Sequence, residues 1–263
     1  ETISTIMRSK ILKKAGILLF WILLWQFGAT ALNQPIILTG PIQVLGALSS
    51  LVFEGEFWLS IGLTLGKIAS GFLLALAVGV VLGILSSRWR LVCDFMEPVM
   101  HLMKAIPVAS FVILALLWAG SSMLSVLISF LVALPIIYVH TLAGLHSTDK
   151  KLLEMARVFA MPWQCKIRYI YWEALKPHLA DGFRITLGFC WKSGVAAEVI
   201  GVPAHSIGEK LYMSKIYLST DQLLAWTVVV IILSTLFEKI CLKLIGGKSG
   251  EINDPGAEEE LQR

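Results

Sequence analysis

The chain has 263 residues, of which 57% are hydrophobic and only 15% charged, a balance that excludes a water-facing globular surface and describes a chain in contact with lipid. Its formal charge of +4 is spread between apolar runs, so no continuous basic tract of the kind that binds nucleic acid is formed. Runs of about 20 apolar residues suit helices crossing a bilayer core, and they lack the alternation of a barrel strand, so an all-α membrane bundle is expected.

In chain order, residues 1–15 are expected to form a cytoplasmic N-terminal segment. The first apolar run, Gly16 to Leu32, has no small-residue cleavage site and is read as a retained span. Spans are expected near Gly16–Asn33, Leu59–Ser86, Val99–Ala119, Met123–Leu145, His178–Ile200 and Gln222–Ile245, giving a six-helix domain over 16–245. Gly120-Ser121-Ser122 makes the third and fourth an antiparallel hairpin. The tail 246–263, with Gly-Gly, Asp254-Pro255-Gly256 and Glu258-Glu259-Glu260, has the composition of disorder.

Orientation follows from Lys and Arg in short loops, which are retained in the cytoplasm. One side collects Arg8 to Lys14, Arg88, Arg90, the basic residues of the 146–177 segment, Lys243, Lys248 and Arg263; the other has Lys210 and Lys215. Both termini are therefore expected in the cytoplasm. On the outer side, Thr39-Gly40-Pro41 starts a short interfacial helix with Ile42, Leu45, Leu48 and Val52 at helical spacing. Ser206-Ile207-Gly208-Glu209 forms a capping box and begins a second outer helix near Ile207. Cys93, Cys165, Cys190 and Cys241 lack metal-ligand spacing and are expected to remain reduced.

The segment from His146 to Pro177 is long for a connection between helices. Ser147-Thr148-Asp149 supplies caps for a helix whose Leu152, Met155, Ala156 and Phe159 share one apolar face. Ala160-Met161-Pro162 interrupts it, and Trp163 to Tyr171 supply a second helix. Such a stripe needs either a protein cleft or the inner leaflet to cover it, and physics alone leaves both open.

The run Glu154-Met155-Ala156-Arg157-Val158-Phe159-Ala160-Met161, with Ile170 beyond it, resembles the EAA motif of ABC-importer permeases. Met155 stands at the middle position, Ala160 where the family has glycine, and Trp172-Glu173 where it has Leu-Pro. Lys104-Ala105-Ile106-Pro107, Asp181-Gly182-Phe183-Arg184-Ile185-Thr186-Leu187-Gly188 and Ala196-Ala197-Glu198-Val199-Ile200-Gly201 extend the likeness, almost along the whole chain, to permeases of the nitrate/sulfonate/taurine type. The resemblance implies a type I importer permease bundle with six transmembrane helices. It also implies a pore made by two permeases, here a homodimer, a solute delivered by an external binding protein, and a coupling helix set into a cleft of a separate ATPase. It assigns Glu154, Met155, Ala156, Arg157, Phe159, Ala160 and Met161 to ATPase contact, and places ATP and Mg on that partner.

No catalytic or cofactor site is read in this chain. A P-loop needs a glycine five residues before its Gly-Lys-Ser, and Gly247-Lys248-Ser249 has Leu242 there. No zinc-protease helix, paired cysteines or nucleophile elbow is present. Within the spans, Lys67, Lys192 and Glu198 are candidates for the solute path, and two cations favour an anionic solute. The bland alternative pairs Lys67 or Lys192 with Glu198 as structural glue and lets Arg184 snorkel; it is preferred for Lys192 and Arg184. Gly62/Gly66 and Gly79/Gly83 read as close-packing sites, Trp58, Trp118 and Trp226 as headgroup anchors, and His101 and His140 as packing residues. A self-contained secondary transporter or channel is the competing function; inverted repeats or broken helices would favour it. A membrane enzyme comes third.

Overall fold

The computed structural model describes residues 2–34 and 36–244 and, among them, contains helices and no strands. Ile245 and the expected tail 246–263 lie outside the described residues. The helices are α1 (Thr2–Leu32), α2 (Pro41–Leu51), α3 (Gly55–Arg88), α4 (Arg90–Ala105), α5 (Val108–Ala119), α6 (Leu124–His146), α7 (Lys150–Val158), α8 (Trp163–Lys166), α9 (Trp172–Gly201), α10 (Ile207–Ile216) and α11 (Thr220–Leu244). A wide π-helical turn, Ile167–Tyr171, joins α8 to α9.

Four described helices are long and apolar enough to cross a membrane: α1 over Ala15–Leu32, α3, α6 and α11 over Thr220–Lys243. The expected third span is not one helix. It breaks at Ile106-Pro107 into α4 and α5, which bend by 102°. Pro107 has no amide to donate and restricts the residue before it, so Ile106 is extended at ψ 128° and α5 starts afresh. At 12 residues, α5 is only about 18 Å long, too short to span a hydrocarbon core of about 30 Å. α9 has 30 residues, enough to cross, but its run is polar because it lies inside the bundle against α3, α6 and α11 and need not be oily throughout. It also begins earlier than the sequence suggests. The expected loop end at Pro177 lies within it.

α6 is the central helix, packed along α3 on one side and α9 on the other. Glycines set these distances. A Cβ at Gly71 would strike the carbonyl oxygen of Val126, one at Gly79 would lie 3.0 Å from Ile137, and one at Gly83 2.7 Å from Thr141. Across the other seam, Gly182 faces His140 and Gly194 faces Ser129 and Ile68. The Gly79/Gly83 expectation is thus met. Gly62 and Gly66 meet open space within the chain, so their spacing serves no contact between these helices. Around the seams, Ile68, Phe72, Ile137, Leu187 and Trp191 form the core, and Tyr138 donates to Ser86 Oγ at 3.0 Å.

At the other end of the bundle from α7, α2, α10 and the start of α11 enclose a second core of Val44, Leu51, Phe57, Ile207 and Trp226. The short helix α2 begins at Pro41 and leaves Ile42 and Leu45 exposed, as an interfacial helix would. Trp58 and Trp118 are exposed, but Trp226 is buried, 5.0 Å from the Phe57 ring. It is a core residue, not a headgroup anchor, because α10 and α2 cover it. His101 is likewise corrected: it stands exposed on α4, 4.0 Å from Glu97, and fills no packing gap.

Gly71→Ala should lower the thermal midpoint of the detergent-purified protein by the equivalent of about 1–3 kcal/mol, since backbone at Val126 has nowhere to move. Gly62→Ala should leave it level or slightly higher, as alanine favours helix. Scanning fluorimetry of the two variants checks this, and equal midpoints would contradict the packing account.

Candidate functional site

Two regions carry polar or unpartnered groups in functional positions. The first is the expected helix–turn–helix. Asp149 caps α7 by accepting the Lys151 amide at 2.8 Å, which meets one of the unsatisfied N–H groups of a helix start. At its other end, the Met161 amide donates to Ala156 O at 2.9 Å and the Ala160 amide to Arg157 O at 3.1 Å. This pair of bonds is a Schellman turn, which demands a left-handed residue at its penultimate position. Ala160 holds it, at φ 47°. The glycine of the resembled motif is therefore the residue that this backbone prefers, and alanine accepts the same turn with strain.

The apolar residues of α7 divide between two faces. Ala156 is fully buried, whereas Leu152, Met155, Val158 and Phe159 are exposed, Val158 at 81% and Phe159 at 77%. Glu154 and Arg157 are exposed beside them, Ala160 is exposed, and Met161 is half-buried. The helix thus turns only one small side chain inward and offers a row of large ones, flanked by an acid and a base, to whatever lies beyond the chain.

The second region is at the opposite end of the bundle. Glu198, near the end of α9, is fully buried. Its Oε2 accepts the Thr64 hydroxyl at 2.9 Å and the Gly208 amide at 3.2 Å, and its Oε1 accepts the Ser125 hydroxyl at 2.9 Å. Thr64 is on α3, Ser125 on α6 and Gly208 on α10, so one carboxylate joins four helices. Burying a carboxylate without partners is prohibitive, and orphaning each of these buried donors would cost about 1–3 kcal/mol.

The structure does not bring the three candidate path residues together. Lys67 is half-buried on α3 and Lys192 exposed on α9. Neither forms an ion pair with Glu198 among the described residues; its direct partners are two hydroxyls and an amide, and Lys67 acts on its charge from further off. Glu198 is enclosed by the helices of its own chain. Arg184 is held by Asp181 Oδ1 at 2.8 Å, one turn back on α9. No local signal marks Thr64, Ser125 or the amide of Gly208 as partners of Glu198, since the two hydroxyls lie 134 and 73 residues from it. The charge of Glu198 inside a span was the available clue.

Residues 75–245 match the family described as the binding-protein-dependent transport system inner membrane component. The chain is 25% identical over 217 residues to the putative aliphatic sulfonates transport permease protein of Bacillus subtilis, covering 82% of this chain and 78% of that one. It is 24% identical over 220 residues to the taurine transport system permease protein of Escherichia coli, covering 81% and 80%. Identity to the bicarbonate transport system permease protein of Synechococcus elongatus is 26% over 196 residues, covering 70% and 69%.

Substituting Ala160 with glycine should relieve the left-handed strain, worth about 1–2 kcal/mol, and slow amide exchange at Ala160 and Met161. Ala160→Val should speed it. Hydrogen exchange on the peptide spanning 150–162 reads both, and identical exchange in the two variants would refute the turn assignment.

Proposed function

We propose, for a chain that belongs to the binding-protein-dependent transport system inner membrane component family, that two copies form the pore of an ATP-driven importer. In this reading the solute arrives from an external binding protein on the side of α2 and α10. α7 lies in the cytoplasm, with both termini, and docks on a separate ATPase subunit that holds ATP and Mg. The observation that carries the reading is the exposed row Leu152, Met155, Val158 and Phe159 on α7, too apolar to face water and held out by a well-capped helix. Glu154 and Arg157 flank it as charged contacts, Ala156 anchors it inward, and Ala160 and Met161 fix its exit.

ATP drives transport by binding one arrangement of the assembly better than the other. Closure of the ATPase dimer carries its two docked α7 helices together as rigid bodies and turns the pore outward; hydrolysis resets it. The broken pair α4–α5 taken alone would suit a secondary transporter, but the family and the unpartnered α7 favour the coupled importer.

The relatives are named for sulfonates, taurine and bicarbonate, which all bear an anionic group. Lys192 suits such a solute. It is exposed on α9 beside Phe189 and Ile185, and a charge in a span faces a partner or a wet cavity. Lys67, half-buried on α3, is the second path position.

Replacing Glu154 and Arg157 together by glutamine should cut ATP-driven uptake in proteoliposomes about tenfold or more while leaving the thermal midpoint unchanged, because both are exposed and act only in coupling. Unchanged uptake would remove α7 from the mechanism. Lys192→Met should reduce solute-stimulated ATP turnover several-fold, by roughly the weight of one charge–charge hydrogen bond; full retention takes Lys192 off the path.

A further inference from the structure

The carboxylate of Glu198 does more than tie three spans together. Gly208, whose amide it accepts, is the second residue of α10. Thr64, which donates to the same oxygen, also accepts the Ile207 amide on its hydroxyl at 3.0 Å. The first two amides of α10 are therefore satisfied from inside the bundle, by α9 and α3. No slack separates the parts, since a Cβ at Gly208 would collide with the Cβ and backbone of Glu198.

The same helix end is held from the surface by a separate set of bonds. Ser206 accepts the Glu209 amide at 3.0 Å, and Glu209 accepts the His205 amide at 2.6 Å. Glu56, at the start of α3, binds Lys210 at 2.8 Å and stands 3.6 Å from His205. In the importer reading, on which this inference rests, α10 lies on the side from which solute is delivered.

We propose that Glu198 is a positioning residue for transport. It fixes the N-terminus of α10 to the ends of α3, α6 and α9, so that an event on the outer surface and a movement of the spans become one motion. It touches no solute and acts through α10. What the site uses is accepting geometry: two oxygens placed for three donors, none of them cationic.

The test uses the assembly of permease, ATPase and binding protein in vesicles. In Glu198→Ala, amide exchange of the peptide 207–216 should rise about tenfold, and the ratio of ATP turnover with solute-loaded binding protein to turnover without it should fall by a similar factor. Glu198→Gln should restore both. Its amide oxygen accepts from Thr64 and Gly208, while its amide nitrogen donates to the Ser125 hydroxyl, which rotates to accept. If the alanine variant fails to assemble, Thr64→Val, which removes one donor and the acceptor for Ile207, takes its place with the same expected losses.

A variant with loosened α10 and full stimulation would overturn the proposal, as would a glutamine variant as defective as alanine. Normal exchange in α10 of the alanine variant would overturn it too. Absence of ATP-dependent uptake by the unmodified assembly would instead strike the importer reading itself.

Discussion

A carboxylate can lie in the middle of four helices only when donors surround it, and the placement of Glu198 obliges α3, α6, α9 and α10 to meet at fixed distances. In a bundle whose outside is lipid, apolar contact discriminates poorly between neighbours, because lipid tails offer nearly the same surroundings. Directional bonds to a buried acid are less forgiving. They set which helices adjoin and at what height, and the glycine seams at Gly71, Gly79 and Gly194 then let the backbones close on one another. The end of the bundle near Glu198 is consequently a braced block.

The opposite half is built differently. α7 touches its own chain mainly through Ala156, and a wide turn feeds into α9. These are the places where a helical protein deforms with least loss, since few buried contacts have to be remade. In the proposed importer, compliance serves the end where α7 docks and stiffness the end where solute is received. This chain has the two properties at separate ends.

Much of the architecture was legible in local pattern. α1, α3, α6 and α11 announce themselves by length and hydropathy, and Pro41, Asp149 and Ser206 mark helix starts that the structure reproduces. The helix of the long connection and its interruption at Ala160-Met161-Pro162 are also readable, because both are set by residues within one turn of each other; the left-handed backbone of Ala160 is not. Hidden features were those decided at a distance. Nothing near Trp226 tells that α2 and α10 will cover it, and nothing near Gly71 tells that Val126 will press against it. Ile106-Pro107 was visible as a motif, but an apolar run looks the same straight or bent by 102°. The role of Glu198 was legible only as a question. Its answer lay in hydroxyls on other helices.

The wide turn at Ile167–Tyr171 bears on how α9 should be read in any comparison of sequences. Each residue of an α-helix advances the azimuth by about 100°, so one residue accommodated in a looser loop rotates everything downstream by that angle. A helical wheel drawn without interruption from Trp163 to Gly201 would therefore misplace Arg184 and Lys192 by roughly a quarter-turn. A relative one residue shorter in this stretch, running as plain α-helix, would present the same flanks of α9 to its neighbours.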